Sequence, residues 1–335
     1  MNFRSDNNAA AAAEIIAALT SANEAFAVAY GGDPWSQKLD ETFSALFERE
    51  VRVFTVASGT AANAISLASV TPPWGAIVCH REAHIECDEC GAPEFFSGGA
   101  KLVLVDGPDA KVTPEALREA VSRNARGIHS VAPSAVSISQ ISERGGVYAP
   151  AEVAALGEAA RAAGLAFHVD GARFANAVAA LGCRPGDITW RAGVDVLSFG
   201  ATKNGAIAAE AIVCFDLDRA EEIARRRKRG GHLFCKGRYP AAQLLAYLEG
   251  GLWLKLAARA NALAKRLAEA AGRWLASPPD ANMVFINPGA AALANLRAAG
   301  MMFYEGAGAD EARLVVSWNQ PEAEVAQACA LLRKL

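Results

Sequence analysis

Two apolar runs, Leu165–Val169 and Val194–Phe199, constrain this chain more than any other feature. The first ends at Asp170; the second leads into a polar turn that carries Lys203. Lys203 lies 33 residues beyond Asp170, a separation that suits a helical crossover between parallel strands. Open α/β sheets bind ligands at the carboxyl ends of their strands. A carboxylate and a lysine therefore emerge together at such an edge. A pyridoxal phosphate enzyme needs this pair. The lysine condenses with the cofactor aldehyde, and the carboxylate keeps the pyridine nitrogen protonated so that the ring accepts electrons.

Composition removes other classes. A length of 335 residues suggests a large domain plus a smaller one, and 52% hydrophobic content excludes disorder. A formal net charge of −3 gives no support to a nucleic-acid surface. The basic run Arg225–Arg229 reads first as a solvated helix end, second as an anion contact at a subunit interface, and only third as a nucleic-acid contact. Seven irregularly spaced cysteines imply a reducing compartment without a disulfide framework. Cys87 and Cys90 lack a second pair, so we expect structural thiols and no metal site. No apolar stretch reaches about 18 residues and no signal peptide is legible, so a cytoplasmic protein without a membrane span is expected.

Several local signals place elements. Residues 1–8 read as an extended arm, with Asn8 capping a helix to about Leu19. Asp33 and Pro34 open a second helix, and Thr113 and Pro114 another. The strand-like run Val51–Val56 precedes Ser58-Gly59-Thr60 and an alanine-rich helix. An SGT turn is often only a tight turn. Beside Asp170 and Lys203 it reads as a phosphate site, built from free N–H groups, a hydroxyl and a glycine that admits close approach. Pro240–Ala276 reads as a long helix with a Gly250–Gly251 break, leading to a small α/β unit. The expected division is a large domain over 1–240 and a linking helix with a small domain over 241–335.

The ordered set FRSDN, SGTAAN, EAHI, HVDGARFANA, SFGATKNGA and RLVVSW resembles the L-threonine aldolases of low specificity, within the aminotransferase-like pyridoxal phosphate enzymes. The resemblance spans Phe3 to Trp318. It implies an α/β fold with a mostly parallel seven-stranded sheet and a small C-terminal domain. It also implies cleavage of L-threonine, L-allo-threonine or related β-hydroxy-α-amino acids to glycine and an aldehyde. By the same resemblance His84 stacks on the pyridine ring, and Arg173 lies at the cofactor's phenolic oxygen and near the substrate carboxylate. Arg313 clamps that carboxylate with help from Ser5. Tyr30 and Arg229 reach an active site near a subunit interface, in a homodimer or homotetramer.

Two departures stand out. The family's second histidine, in an E-N-T-H-N run, is missing; Ser137, Ser139 and Gln140 occupy that region, leaving open which group takes the substrate's hydroxyl proton. Asn204 also stands between Lys203 and Gly205, where the family usually has glycine directly after the lysine. The competing expectations are a β-eliminating or aminotransferase-like reaction on the same cofactor, and a non-catalytic relative, against which Lys203, Asp170 and Thr60 argue.

Overall fold

The computed structural model describes residues 1–24 and 26–335. Among the described residues the larger sheet contains β1 (Arg52–Val56), β2 (Gly75–His80), β3 (Lys101–Val105), β4 (Ala132–Ser139), β5 (Ala166–Gly171), β6 (Val196–Gly200) and β7 (Glu210–Cys214). Their order is β1-β7-β6-β5-β4-β2-β3. β2 to β6 pair in parallel, whereas β7 runs antiparallel to β1 and β6. A second, antiparallel sheet holds β8 (Met283–Ile286), β9 (Tyr304–Glu305) and β10 (Ala312–Val315), in the order β8-β10-β9. This is the expected mostly parallel seven-stranded sheet with a smaller α/β unit.

β5 and β6 are neighbours in register from His168–Val196 to Gly171–Phe199. Their crossover contains the helix Phe174–Leu181. Beneath Asp170, the buried His168 bridges three strands: Nδ1 lies 2.9 Å from Ser137 Oγ and Nε2 3.0 Å from Ser198 Oγ. Burial, opposed weakly by Asp170, pushes its pKa down to about 4, so it serves as a neutral cross-strand pin.

The helix Gly59–Val70 is buried along Ala61–Val70, as its small and apolar composition requires. It aims its N-terminus at the ends of β1, β5 and β6. An aromatic cluster closes the opposite face: Phe43 meets Phe199 edge-on at 5.2 Å, and Phe174 stacks on Trp253 at 6.4 Å between centroids. The helices Arg238–Leu248 and Leu252–Ala271 flank a break at Gly250 and Gly251, both at positive φ, as expected.

Several local expectations need correction. Asn8 does not cap the first helix; it ends a short turn over Asp6–Asn8, and Ala13–Ala22 starts from Ala12 without a side-chain cap. β9 covers only Tyr304–Glu305, and Met302 before it makes only an isolated bridge to Asn2. β7 carries no strand signal in the sequence. EAIVC is short and buried throughout, so it carries no alternation to mark it.

The arm crosses both sheets. Phe3 is buried in the smaller sheet's core and exchanges backbone bonds of 2.8 Å with Met302 and Val315. Asp6 then pairs bidentately with Arg173, at 2.7 and 2.9 Å, and accepts from Asn282 Nδ2 at 3.1 Å. Farther on, Ala12 N–H donates to Gly205 O at 2.8 Å. Burial opposes ionisation of Asp6, but Arg173, Lys203 and the hydrogen bonds hold its carboxyl below the usual range. Its contribution to stability is therefore present above the unfolded carboxylate pKa and lost as pH falls through the lower folded value. Asp6→Ala, which strands a buried guanidinium, is expected to cost about 3–5 kcal/mol in denaturant unfolding.

Candidate active site

Parallel strands deliver their carboxyl ends to one edge, and the antiparallel β7 delivers its first residue to the same edge. A cavity of about 260 Å³ opens there, lined by Ser58, Gly59, Thr60, Asn63, His84, Asp170, Arg173, Lys203 and Glu210 among others.

Asp170 is buried at the end of β5. Its Oδ1 accepts from Ala172 N–H at 3.0 Å and its Oδ2 from Asn63 Nδ2 at 2.9 Å. The same Asn63 amide donates to Glu89 Oε1 at 2.8 Å, and Glu89 Oε1 lies 2.8 Å from His84 Nδ1. A chain of Asp170, Asn63, Glu89 and His84 therefore holds the imidazole at the cavity wall. Its hydrogen bond to Glu89 outweighs burial and, with Asp170 and other carboxylates, raises the His84 pKa above the ordinary value. The donor atoms of His84, Glu89 and Asp170 fall within 4.8 Å of one another; the intervening Asn63 bonds account for this grouping without an ion.

Lys203 sits in the turn Thr202–Asn204 after β6. Asn204 anchors that turn: its Nδ2 donates to Tyr247 Oη at 2.6 Å and to Trp253 O at 2.9 Å. The residue that departs from the family pattern thus ties the lysine to the two helices behind it. Gly205 follows at φ +108, and a Cβ there would stand 2.9 Å from Leu256 Cδ1, so both backbone and space call for glycine.

Ser58 caps the helix Gly59–Val70, its Oγ accepting from Ala61 N–H at 3.2 Å. That leaves the N–H groups of Gly59 and Thr60 without intrahelical acceptors. A Cβ on Gly59 would meet nothing within 4 Å, so the turn borders open space. Free N–H donors, a helix N-terminus, a lysine and a hydrogen-bonded carboxylate form a donor set that fits pyridoxal phosphate.

Arg173 lines the cavity while its Nε and Nη2 hold Asp6. Arg313 borders an adjoining groove that shares Glu143 with the cavity. Its Nε is buried without a partner among the described residues, and burial together with nearby Arg173 lowers its pKa. A buried guanidinium short of acceptors suits an incoming carboxylate. Ser5 Oγ accepts from Asn7 N–H at 3.2 Å, and Asn7, rather than Ser5, lines the cavity. Tyr30 and Arg229 are not brought there in this single chain. Tyr30 is exposed beneath Lys228, with Nζ 4.9 Å from the ring centroid, and Arg229 borders a separate groove with Phe95 and Arg226.

Sequence reasoning missed Asn63, Glu89, Glu143 and Glu210. Asn63 closes the SGTAAN run and Glu89 lies five residues after His84, so both stood beside motifs already noted. Where a second histidine was missing, the Gln140 side chain is spent on Tyr148 N–H and O, and Glu143 faces the cavity instead.

A family described as beta-eliminating lyase matches residues 2–290. A low specificity L-threonine aldolase of a Pseudomonas species is 42% identical over 335 residues, covering 99% of this chain and 96% of the relative. One from Pseudomonas aeruginosa is 41% identical, covering 95% and 92%. The threonine aldolase structure from Leishmania major superposes with a TM-score of 0.93 at 27% identity, covering 99% of this chain and 98% of that one.

Two measurements check the geometry. Asn204→Ala, which leaves a buried Tyr247 hydroxyl and Trp253 carbonyl unpaired, is expected to lower stability by about 1–3 kcal/mol in denaturant unfolding. In an NMR titration His84 is expected to ionise above the ordinary value near 6.5, and Glu89→Gln to bring it down.

Proposed function

From the premise that the chain belongs to the L-threonine aldolases of the beta-eliminating lyase family, we propose how its own residues cleave a β-hydroxy-α-amino acid. The enzyme is a pyridoxal phosphate-dependent carbon–carbon lyase that releases glycine and an aldehyde from threonine. When bound, the cofactor supplies an aldehyde for the substrate amine and an electron sink for the Cα–Cβ bonding pair.

The N–H groups of Gly59 and Thr60, with the Thr60 hydroxyl and the Ser58 cap, would hold the phosphate. Lys203 would be the amine that anchors the cofactor. Asp170 would hold the ring nitrogen, its carboxyl group fixed in place by Asn63 and the Ala172 N–H. Arg313 would take the substrate carboxylate in a bidentate grip, assisted by Arg173 and by the arm through Asn7, which Ser5 positions. That grip would fix the orientation of the Cα–Cβ bond.

His84 accepts the β-hydroxyl proton as the bond breaks. Its Nδ1 proton is directed at Glu89, which leaves Nε2 as the base. The aldehyde departs, and a proton returned to Cα completes glycine. Because the missing second histidine leaves His84 the imidazole at this wall, the aldolase reading concentrates the base function there.

For the assembly we infer a cytoplasmic homodimer or homotetramer in which Tyr30 and Arg229 approach a neighbouring subunit's site. The exposed Phe95 beside Arg229 and Arg226 supports an interface on that flank.

The single observation that carries the reading is the shared cavity of Lys203, Asp170 and the Ser58–Thr60 turn. Purified protein is expected to absorb near the visible edge and to convert threonine to glycine plus acetaldehyde. A ketoacid plus ammonia would assign β-elimination instead. Lys203→Ala should abolish both the band and turnover. His84→Asn should keep the band and lower kcat by about 10²–10⁴-fold. Arg313→Ala should lower kcat/KM by about 10- to 150-fold.

A further inference from the structure

An acidic side chain stands where an anion is to be bound. Glu210 is the first residue of β7, in register with Val56 at the end of β1 and with Gly200 at the end of β6. It therefore lies between the Ser58–Thr60 turn and the lysine turn, and it lines the cavity. Its Oε1 accepts from Thr202 N–H at 3.2 Å, and Thr202 Oγ1 accepts from Ala209 N–H at 3.2 Å. No ion pair fixes its charge among the described residues.

We propose that Glu210 belongs to the phosphate site as a neutral carboxylic acid, and that binding the cofactor's phosphate draws a proton onto it. This deepens the reading above and rests on it.

The charges around Glu210 define the sense of the effect. Lys203 faces it from the β6 turn and favours its ionised form; Asp170, at the end of β5, disfavours it. His84, Glu143 and Arg173 complete the titratable lining of the cavity. The helix Gly59–Val70 contributes neutral Thr60 and Asn63 to that lining. On β1, Thr55 is bonded by Arg227 of the helix Ala220–Arg229. Burial leads these influences and pushes the Glu210 pKa up to about 7 before any anion is present.

A phosphate dianion in the turn adds a like charge, and engagement of the Lys203 amine removes the compensating cation. Both changes raise the pKa further. A proton is then taken up on binding, so affinity is greatest at low pH and falls as pH rises past the free protein's value. The bound acid can also donate where an ionised carboxylate would repel.

The test is calorimetric binding of pyridoxal phosphate to the full chain stripped of cofactor, near pH 8, in buffers of different ionisation heat. Pyridoxal, which lacks the phosphate, is the control, because condensation with Lys203 is common to both. Wild type is expected to take up more proton with pyridoxal phosphate than with pyridoxal, the excess being what the phosphate dianion adds to the Lys203 effect common to both. Its affinity for pyridoxal phosphate should weaken by up to about tenfold per pH unit above 7, beyond any trend with pyridoxal. Glu210→Gln keeps size and a donor and should erase both differences. Equal proton uptake for the two ligands in wild type overturns the proposal, whether or not the variant folds. So does an unchanged difference in the Gln variant. Absence of binding by either ligand overturns the cofactor assignment itself, an outcome distinct from bound cofactor without proton uptake.

Discussion

A buried carboxyl group needs partners to replace its water, and the site depends on Asp170 having them. Asn63 and the Ala172 N–H provide the bonds. Asn63 can do so because its helix is buried along nearly its whole length and cannot shift without disturbing the sheet. The same helix presents its N-terminal donors to the cavity. One packed element therefore positions both Asn63, which holds Asp170, and the cavity-facing turn at Gly59 and Thr60. His168 fixes the strands below by bonding to both flanking serines while remaining uncharged.

Most of the site's skeleton was legible because it is encoded locally. The strand–turn–helix around Ser58, the strand ending at Asp170 and the lysine turn after β6 are each written in a few consecutive residues. What escaped was set by pairing between distant segments. β7 is a short run buried on both sides, and only its antiparallel placement brings Glu210 to the active edge. Glu89 gains its meaning from Asn63 and His84 together. Asn204, an apparent irregularity in the motif, is the buried anchor of the lysine turn. The misplaced Asn8 cap has a similar cause: Asp6 is drawn to Arg173, and the turn that this pairing imposes displaces the helix start to Ala13.

The distribution of charge is also informative. Arg173 is neutralised by Asp6 inside the fold, whereas Arg313 has a buried donor and no carboxylate bonded to it. Arg173 reaches the cavity with its charge already paired, whereas Arg313 borders the adjoining groove with a donor that no described residue takes up. Loss of the Asp6 partner would leave the Arg173 charge unpaired in the cavity wall, so a change in the arm reaches the site without touching the substrate.

The arm has a mechanical consequence. Phe3 is clamped to the smaller sheet, Asp6 to the larger one, and Ala12 to the carbonyl of Gly205, two residues past the lysine. These attachments fall within ten residues, too short a span to take up much slack. Any rocking of the C-terminal unit toward or away from the cavity must therefore pull on the segment that carries Lys203. The arm works as a tension member, and its length sets how far the smaller unit can swing before the lysine turn is strained.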